Sequence, residues 1–370
     1  MQEAKMTILM TADTVGGVWT YCMELCKSLQ KFGAEVHLVT MGDKIKKWQR
    51  EEVQELKNVV VHETDFRLEW MQSPWLDIEE CSEWLLHMED EIQPDIIHLN
   101  CFVYGHLPFK APKIIVTHSD VYSWFLSVKK DDPMPEWQKY FWCVKNGLLG
   151  ADRVIAPSQT MLQYMQSIYT VRSDQQVIYN GRSSELFYAA KKSDTVFSMG
   201  RIWDEAKNIK LLVDAAPNIT APIQIAGANQ FAENSFHLTH SNVEYVGKLS
   251  TLKIAEHLST AAVYVLPAKY EPFGLSVLEA AFSKCALVLG DIESLHEIWE
   301  DAAFYVDTND AEDLADAVNY LMNNKDVRDH YAEKAFQQAQ KYKSERMGAE
   351  YFNVYQELIK KELTSKEALV

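Results

Sequence analysis

Long hydrophobic runs are missing. No stretch approaches the ~18 consecutive apolar residues that a membrane-spanning helix needs, so a membrane is not an expected partner. Cysteine is scarce: Cys22, Cys26, Cys81, Cys101, Cys143 and Cys285 are all there are in 370 residues. None forms Cys-x-x-Cys or joins histidines at zinc spacing, which excludes a disulfide framework and a zinc module. Buried, reduced thiols in a cytoplasmic protein are expected instead. Positive charge is in short supply too, with 36 Lys and Arg against 53 Asp and Glu, a net charge of −17. So acidic a chain is not expected to bind nucleic acid or an anionic bilayer as its main partner. There is no Asp-x-Asp to hold a metal, and no Gly-x-Gly-x-x-Gly, so the dinucleotide fingerprint fails. Residues Met1 to Met6 lack the basic and long apolar regions of a secretory signal, again consistent with a cytoplasmic location.

What is present is a globular balance, 47% hydrophobic and 24% charged. At about 150 residues per domain the length suggests two domains. Strands are expected at Met6–Thr11, Val36–Thr40, Val59–His62, Ile96–Leu99, Ile114–Thr117 and Val154–Ala156. Helices are expected between them, for example Val18–Lys31 and Ile78–Glu91. These strands are continuous apolar runs, the pattern of parallel strands buried on both faces. The pattern restarts at Thr195–Met199 and continues through Ile223–Ala226, Val243–Val246, Val263–Leu266, Leu287–Leu289 and Phe304–Val306. The polar stretch Tyr179–Ser193 divides the two halves, and a long helix from Ser344 to Glu362 closes the chain, with apolar Phe352, Val354, Tyr355 and Leu358. The expected fold is α/β: two doubly wound Rossmann-like domains facing a cleft, over residues 1–180 and 181–344. Ligands in such sheets bind at the carboxyl ends of the strands.

Four segments at strand ends carry chemistry. In Leu266–Ala281 a strand gives way to a loop with Glu271, Pro272, Phe273 and Gly274, then to a helix carrying Glu279. Open amides at the helix start suit an anion, Gly274 permits close approach, and two carboxylates can accept from sugar hydroxyls. The alternative is a solvated helix start with two surface glutamates. In Phe197–Asn208 a strand ends in Gly200-Arg201, and Lys207 follows at a helix start. A guanidinium fork and a lysine there form either a phosphate clamp or an ordinary ion pair with Asp204 or Glu205. In Met10–Tyr21 a Gly16-Gly17 turn opens a helix, and in Ile114–Asp120 His118 directly follows a strand. A turn without a ligand and a structural histidine are the plain alternatives.

Together these segments resemble the family 4 glycosyltransferases, retaining nucleotide-sugar-dependent enzymes of the GT-B fold. Glu271 through Glu279 is similar to that family's Glu-(seven residues)-Glu signature, with Gly200-Arg201 and Lys207 at the matching upstream place. Val177-Ile178-Tyr179-Asn180-Gly181 resembles its interdomain turn, and Pro94–His98 and Ala151–Ser158 also have counterparts. The resemblance implies that Arg201 and Lys207 neutralise a diphosphate leaving group, to which Gly17, beside Gly16, offers its amide. It implies that Glu271 and the amides of Phe273, Gly274 and Leu275 hold the donor sugar and phosphate. Glu279 would hold the ribose, and His118 would contact the donor sugar. Asn180, and Gly227 of Ile225-Ala226-Gly227-Ala228, would line the nucleotide, with Gly247 and Lys248 near the base. The last helix, 345–370, would return to the first domain. Paired cations can replace a metal as fixed positive charge, so no divalent metal is expected, and a nucleoside-diphosphate sugar is the donor substrate with UDP as the default. No protein nucleophile is assigned to Glu271, His118 or Asp120. The run Ala281–Val288, with Lys284 and Ala286, and the loop Asp291–Glu297 depart from the family pattern near the donor sugar.

For the acceptor, aromatic Tyr122, Trp124, Phe125, Trp137, Tyr140, Phe141 and Trp142, with Trp70 and Trp75, make either a sugar-stacking wall or ordinary core. Lys44, Lys46, Lys47 and Arg50 are followed at once by Glu51, Glu52 and Glu55, the pattern of a solvated helix face. A soluble small-molecule acceptor is therefore expected, and the oligomeric state stays open. A sugar-nucleotide epimerase, a phosphorylase and a catalytically silent nucleotide-sugar-binding subunit are the rival readings.

Overall fold

The computed structural model describes residues 5–227, 230–231, 234–235 and 240–367. Residues 1–4 and Ala228, which end the sequence motifs above, lie outside them. The chain forms two compact units: one runs to Leu126, resumes over Asp131–Gly181 and takes in the last helix from Ser344, and the other is Ser127–Lys130 with Arg182–Lys343.

In the first unit the strands are β1 (Thr7–Asp13), β2 (Glu35–Met41), β3 (Val59–Glu63), β4 (Ile96–Leu99), β5 (Lys113–Val116), β6 (Arg153–Ala156) and β7 (Asp174–Val177). The helices are α1 (Gly17–Leu29), α2 (Lys47–Gln54), α3 (Trp75–Ile92), α4 (Val121–Val128), α5 (Gln138–Gly150) and α6 (Gln159–Tyr169). All pairings in the sheet are parallel, in the order β3-β2-β1-β4-β5-β6-β7. The central strands are buried throughout, which is why they read as unbroken apolar runs. β7 escaped that reading because Asp174-Gln175-Gln176 is a polar edge strand. α3 begins at Trp75, earlier than the expected Ile78. Asp95 and Asp152 sit at the opening ends of β4 and β6. Each accepts an amide of a neighbouring strand, from Thr7 and Lys113, both at 2.8 Å, so these motif residues align strand starts.

The second unit contains β8 (Val196–Met199), β9 (Ile223–Ala226), a short antiparallel pair β10 (Gln230–Phe231) and β11 (Asn234–Ser235), then β12 (Val243–Gly247), β13 (Val263–Leu266), β14 (Ala286–Gly290) and β15 (Phe304–Val306). Its helices are α7 (Ile209–Ala215), α8 (Thr251–Thr260), α9 (Leu275–Phe282), α10 (Glu293–Trp299), α11 (Ala311–Asn323) and α12 (Lys325–Ala339). The parallel sheet runs β12-β9-β8-β13-β14-β15 over a core of Ile209, Leu212, Ile223, Val263, Val288 and Leu314.

Helix α13 (Ser344–Glu367) belongs to the first unit, where it lies on α1. Gly348 allows the approach, since a Cβ there would stand 2.4 Å from that of Ser28. Ser28 donates to the Ser344 carbonyl at 2.9 Å, and Phe352 stacks on Phe32 at 4.5 Å. Val354, Tyr355 and Leu358 are buried, each contributing about 1.5–3 kcal/mol on the usual scale for a fully buried side chain.

Each sheet reverses direction between its first and fourth strand, at β1/β4 and at β8/β13. A doubly wound sheet opens a crevice beyond the carboxyl ends of such strands, because the loops on either side leave in opposite directions.

Candidate functional site

At the β8/β13 crevice the loops are laced together by backbone. Lys269 after β13 donates its amide to the Ala206 carbonyl at 2.8 Å. Asn208, in a left-handed conformation at the start of α7, donates to the carbonyls of Pro267 and Thr308 at 2.9 and 2.8 Å. This lacing brings Lys207 to Glu271, with Nζ 2.5 Å from Oε2. Gly200 leaves room for the lysine, whose Cγ lies 3.4 Å from where a Cβ would stand. Ser294 of α10 donates to the Glu271 carbonyl at 2.6 Å and fixes that loop from the other side.

Arg201 is held by Asp204, which accepts from Nη2 at 2.7 Å and from Nε at 3.1 Å, and takes the Ala206 amide on its other oxygen at 3.0 Å. Burial raises the affinity of Asp204 for a proton, but Arg201, Lys207 and the Ala206 amide outweigh it and hold the carboxyl below the usual range. The ion-pair alternative for Arg201 is thus present, and its effect is to fix the guanidinium, which stays 41% exposed beside the crevice.

Gly274 has φ 91°, a conformation that favours glycine, and caps α9. The helix begins at Leu275, and Val277 and Leu278 both donate to the Gly274 carbonyl. The amides of Leu275 and Ser276 are ones that a helix cannot satisfy from within. Glu279, one turn on, is buried and paired with Arg182, Nε to Oε1 at 2.8 Å. Arg182 is a residue that sequence reasoning missed. Its amide donates to the Tyr342 carbonyl where the chain leaves this unit, and its guanidinium lies 5.3 Å from the Phe187 ring centroid. An arginine directly after Asn180-Gly181 was the available signal.

The Gly227 amide donates to the Gly247 carbonyl at 2.8 Å and ties the end of β9 to that of β12. Glycine is required there because a Cβ would stand 1.8 Å from the Gly200 carbonyl oxygen. Gly247, with φ 72° and open space beside it, and exposed Lys248 end β12.

At the β1/β4 crevice, Gly16 (φ 92°) turns the chain into α1. A Cβ on Gly17 would meet nothing within 4 Å, so the space on that side of its Cα is open among the described residues. Beside it His118 Nε2 lies 2.7 Å from Asn100 Oδ1, and the Tyr21 ring stands edge-on to the imidazole at 4.5 Å. Burial pushes His118 down to about 3, so the ring is neutral at physiological pH. Asn100 is the second residue that the sequence reading missed, since nothing local marks it. Asp120 caps α4, accepting from the amides of Tyr122 and Ser123 and from the Tyr169 hydroxyl. Asn180, at the end of this unit, is buried with Oδ1 meeting no donor among the described residues.

Of the acceptor candidates, Tyr122 is half-buried, with ring contacts to Tyr140, Phe141 and Tyr169. Trp124 is half-buried against Phe125. Trp75 lies under Lys139 of α5, at 4.4 Å. Each cation of the short basic run faces an acid: Lys44 with Asp65, Lys46 with Asp43, Lys47 with Glu51, and Arg50 with Glu63. Among the described residues no helix is long and apolar enough to cross a membrane.

Two parallel α/β units with switch-point crevices define a GT-B architecture. Sucrose-phosphate synthase from Thermosynechococcus elongatus has this fold with a TM-score of 0.80, at 18% identity, over 96% of this chain and 99% of that one. Anabaena HepE in complex with UDP-glucose matches at 0.75 and 17% identity, over 97% and 100%. Residues 15–186 match the model of Glycosyltransferase Family 4, and residues 186–338 that of Glycosyl transferases group 1. The chain belongs to the family 4-like glycosyltransferases. Among curated relatives, the alpha-maltose-1-phosphate synthase of Mycolicibacterium smegmatis is 28% identical over 274 residues, 63% of this chain and 68% of that one.

Proposed function

We propose that this glycosyltransferase moves a sugar from a nucleoside-diphosphate sugar, UDP-linked by default, to a hydroxyl of a small-molecule acceptor, with retention and without a divalent metal. The observation that carries the reading is the Arg201, Lys207 and Glu271 set beside the open start of α9. When the bond from the sugar carbon to the diphosphate breaks, negative charge grows on the leaving oxygen. Cations already fixed by carboxylates stabilise it without rearranging, which is what lowers a barrier. The Lys207 ammonium has three donors and spends one on Glu271, leaving others for phosphate. Glu271 accepts from a sugar hydroxyl, Glu279 from the ribose, and the Leu275 amide serves the phosphate. In the first unit the Gly17 amide offers a donor to phosphate and His118 contacts the donor sugar. The leaving oxygen takes the acceptor's proton on the face that it vacates, so configuration is retained and no protein nucleophile is needed. A neutral His118 and a fully bonded Asp120 suit that scheme. The UDP default is supported by the UDP-glucose named with the Anabaena neighbour. Metal independence is supported by the cation pair itself.

The test is a thermal-shift panel of UDP, GDP, ADP and their glucose conjugates in EDTA. A ligand at 100 times its dissociation constant adds about 2.7 kcal/mol. The expected result is a shift with one nucleotide in EDTA. Shifts that need Mg²⁺ would overturn metal independence, and no shift with any of them would overturn the donor assignment.

A further inference from the structure

His118 is fixed more tightly than contact with a sugar requires, and the fixing group is Asn100. The orientation of that amide follows from its partners. Asn100 Nδ2 lies 2.6 Å from the Thr11 carbonyl and 3.4 Å from Cys22 Sγ, and a carbonyl can only accept. The NH₂ therefore faces Thr11, and Oδ1 faces the imidazole. The Asn100 amide nitrogen also donates to Thr11 Oγ1 at 2.8 Å, so backbone and side chain are both tied to β1. Oδ1 can only accept, so His118 Nε2, 2.7 Å away, must carry the proton. In a neutral imidazole the other nitrogen, Nδ1, then holds a bare lone pair.

We propose that Asn100 is a positioning residue that locks His118 as the Nε2–H tautomer, so that Nδ1 is a standing acceptor for a substrate hydroxyl. This rests on the reading above that His118 serves the donor sugar. The groups facing the ring agree with a neutral lock. Tyr21 presents its ring edge from α1. His98 on β4 is itself held neutral, pushed down to about 3 by burial and then by His118, with Tyr355 and Tyr21 hydroxyls on its nitrogens. Asp120, two residues on, has its carboxylate engaged by Ser123, Tyr122 and Tyr169. Burial acts on His118 itself, and the nearest carboxylate in the chain is already engaged.

The deciding experiment is ¹⁵N NMR of histidine-labelled full-length protein. It reads the tautomer without any ligand. The expected spectrum shows His118 protonated at Nε2 only, unchanged from pH 8 down to pH 5. An Nδ1–H species, or an averaged pair, overturns the lock. Asn100→Asp places a carboxylate on Nε2–H and should make His118 titrate inside that window. Asn100→Leu should give a tautomer mixture. An unchanged spectrum in either variant also overturns the proposal. Turnover is then measured with whichever of UDP-, GDP- or ADP-glucose reacts fastest. Asn100→Leu should lose about tenfold, the scale of one hydrogen bond to substrate, and Asn100→Asp should lose activity only as pH falls. If His118→Ala keeps full turnover, the donor-sugar reading fails and the substrate half of the proposal falls with it. If His118→Ala is slow but Asn100→Leu is not, Asn100 alone is misassigned.

Discussion

The two units solve one topological problem twice, with opposite chemistry. Both sheets run third-second-first-fourth-fifth-sixth strand, and both place their marked residues beyond the first and fourth. At β8/β13 the marked residues are charged, and three cations each have a carboxylate: Arg201 with Asp204, Lys207 with Glu271, Arg182 with Glu279. At β1/β4 they are neutral: His118 with Asn100, Asn100 with Thr11, and His98 with two tyrosines. Topology thus decides where a crevice opens, and the side chains at its rim decide what it accepts. Fixed charges prepare one rim for an anion. At the other rim the marked pairs are neutral donors and acceptors, the groups that suit hydroxyls.

The contrast breaks most severely at Arg182. Its side chain and that of Glu279 are 5% and 9% exposed. Arg182→Leu leaves a buried carboxylate alone and should cost about 3–5 kcal/mol in urea unfolding of the full chain. Combining it with Glu279→Met should recover most of that loss, yet not the nucleotide affinity. A single variant as stable as the native chain would mean that the charged rim does not depend on its pairs.

Next in size is catalysis. Lys207→Ala should lower turnover by about 10²–10³-fold, roughly 2.7–4 kcal/mol of barrier, in a variant that still folds. His118→Ala should cost only about tenfold, since it removes one neutral hydrogen bond. The reverse ranking would give the neutral rim the main part in catalysis.

Glycines sharpen the contrast further. Gly227→Ala forces a Cβ against the Gly200 carbonyl and should cost about 1–3 kcal/mol of stability. Gly17→Ala meets open space and should leave stability almost unchanged while weakening ligand binding. If Gly17→Ala binds normally, no ligand fills the space beside its Cα.

These outcomes also mark how far the residues could be read before the fold was known. Strand positions were legible because burial on both faces leaves mostly apolar residues, as in Ile96-Ile97-His98-Leu99 and Val263–Leu266. β7 was not, because an edge strand tolerates Asp and Gln. Lys207 and Glu271 were legible as motif members, each beside a strand end. Arg182 and Asn100 were not, because their meaning lies in partners 97 and 18 residues away, Glu279 and His118. Gly227 was legible as a marked glycine, but not that a neighbouring backbone, the Gly200 carbonyl, is what requires it.

The smallest expected effect separates the rims by the sign of their pH dependence. Asp204 is held below its ordinary range, so its contribution is present at neutral pH and is lost as pH falls below about 4. Glu69 in the other unit is buried at the end of β4, where it accepts the Phe102 and Val103 amides at 3.1 and 3.0 Å. Burial, against those amides and with a push from Asp120, raises it to about 7. A raised carboxyl stabilises the fold fully below its unfolded value of about 4.3 and loses that contribution as pH rises through 7. The deficit of Asp204→Asn relative to the native chain should therefore be large at pH 7 and vanish in acid. The deficit of Glu69→Gln should be largest below about pH 4 and shrink by pH 8. Melting temperatures of the three proteins across pH 3.5–8 test both. Deficits that move in the same direction would mean that the two acids share one kind of environment, and the contrast between the rims would then stop at their ligand-facing residues.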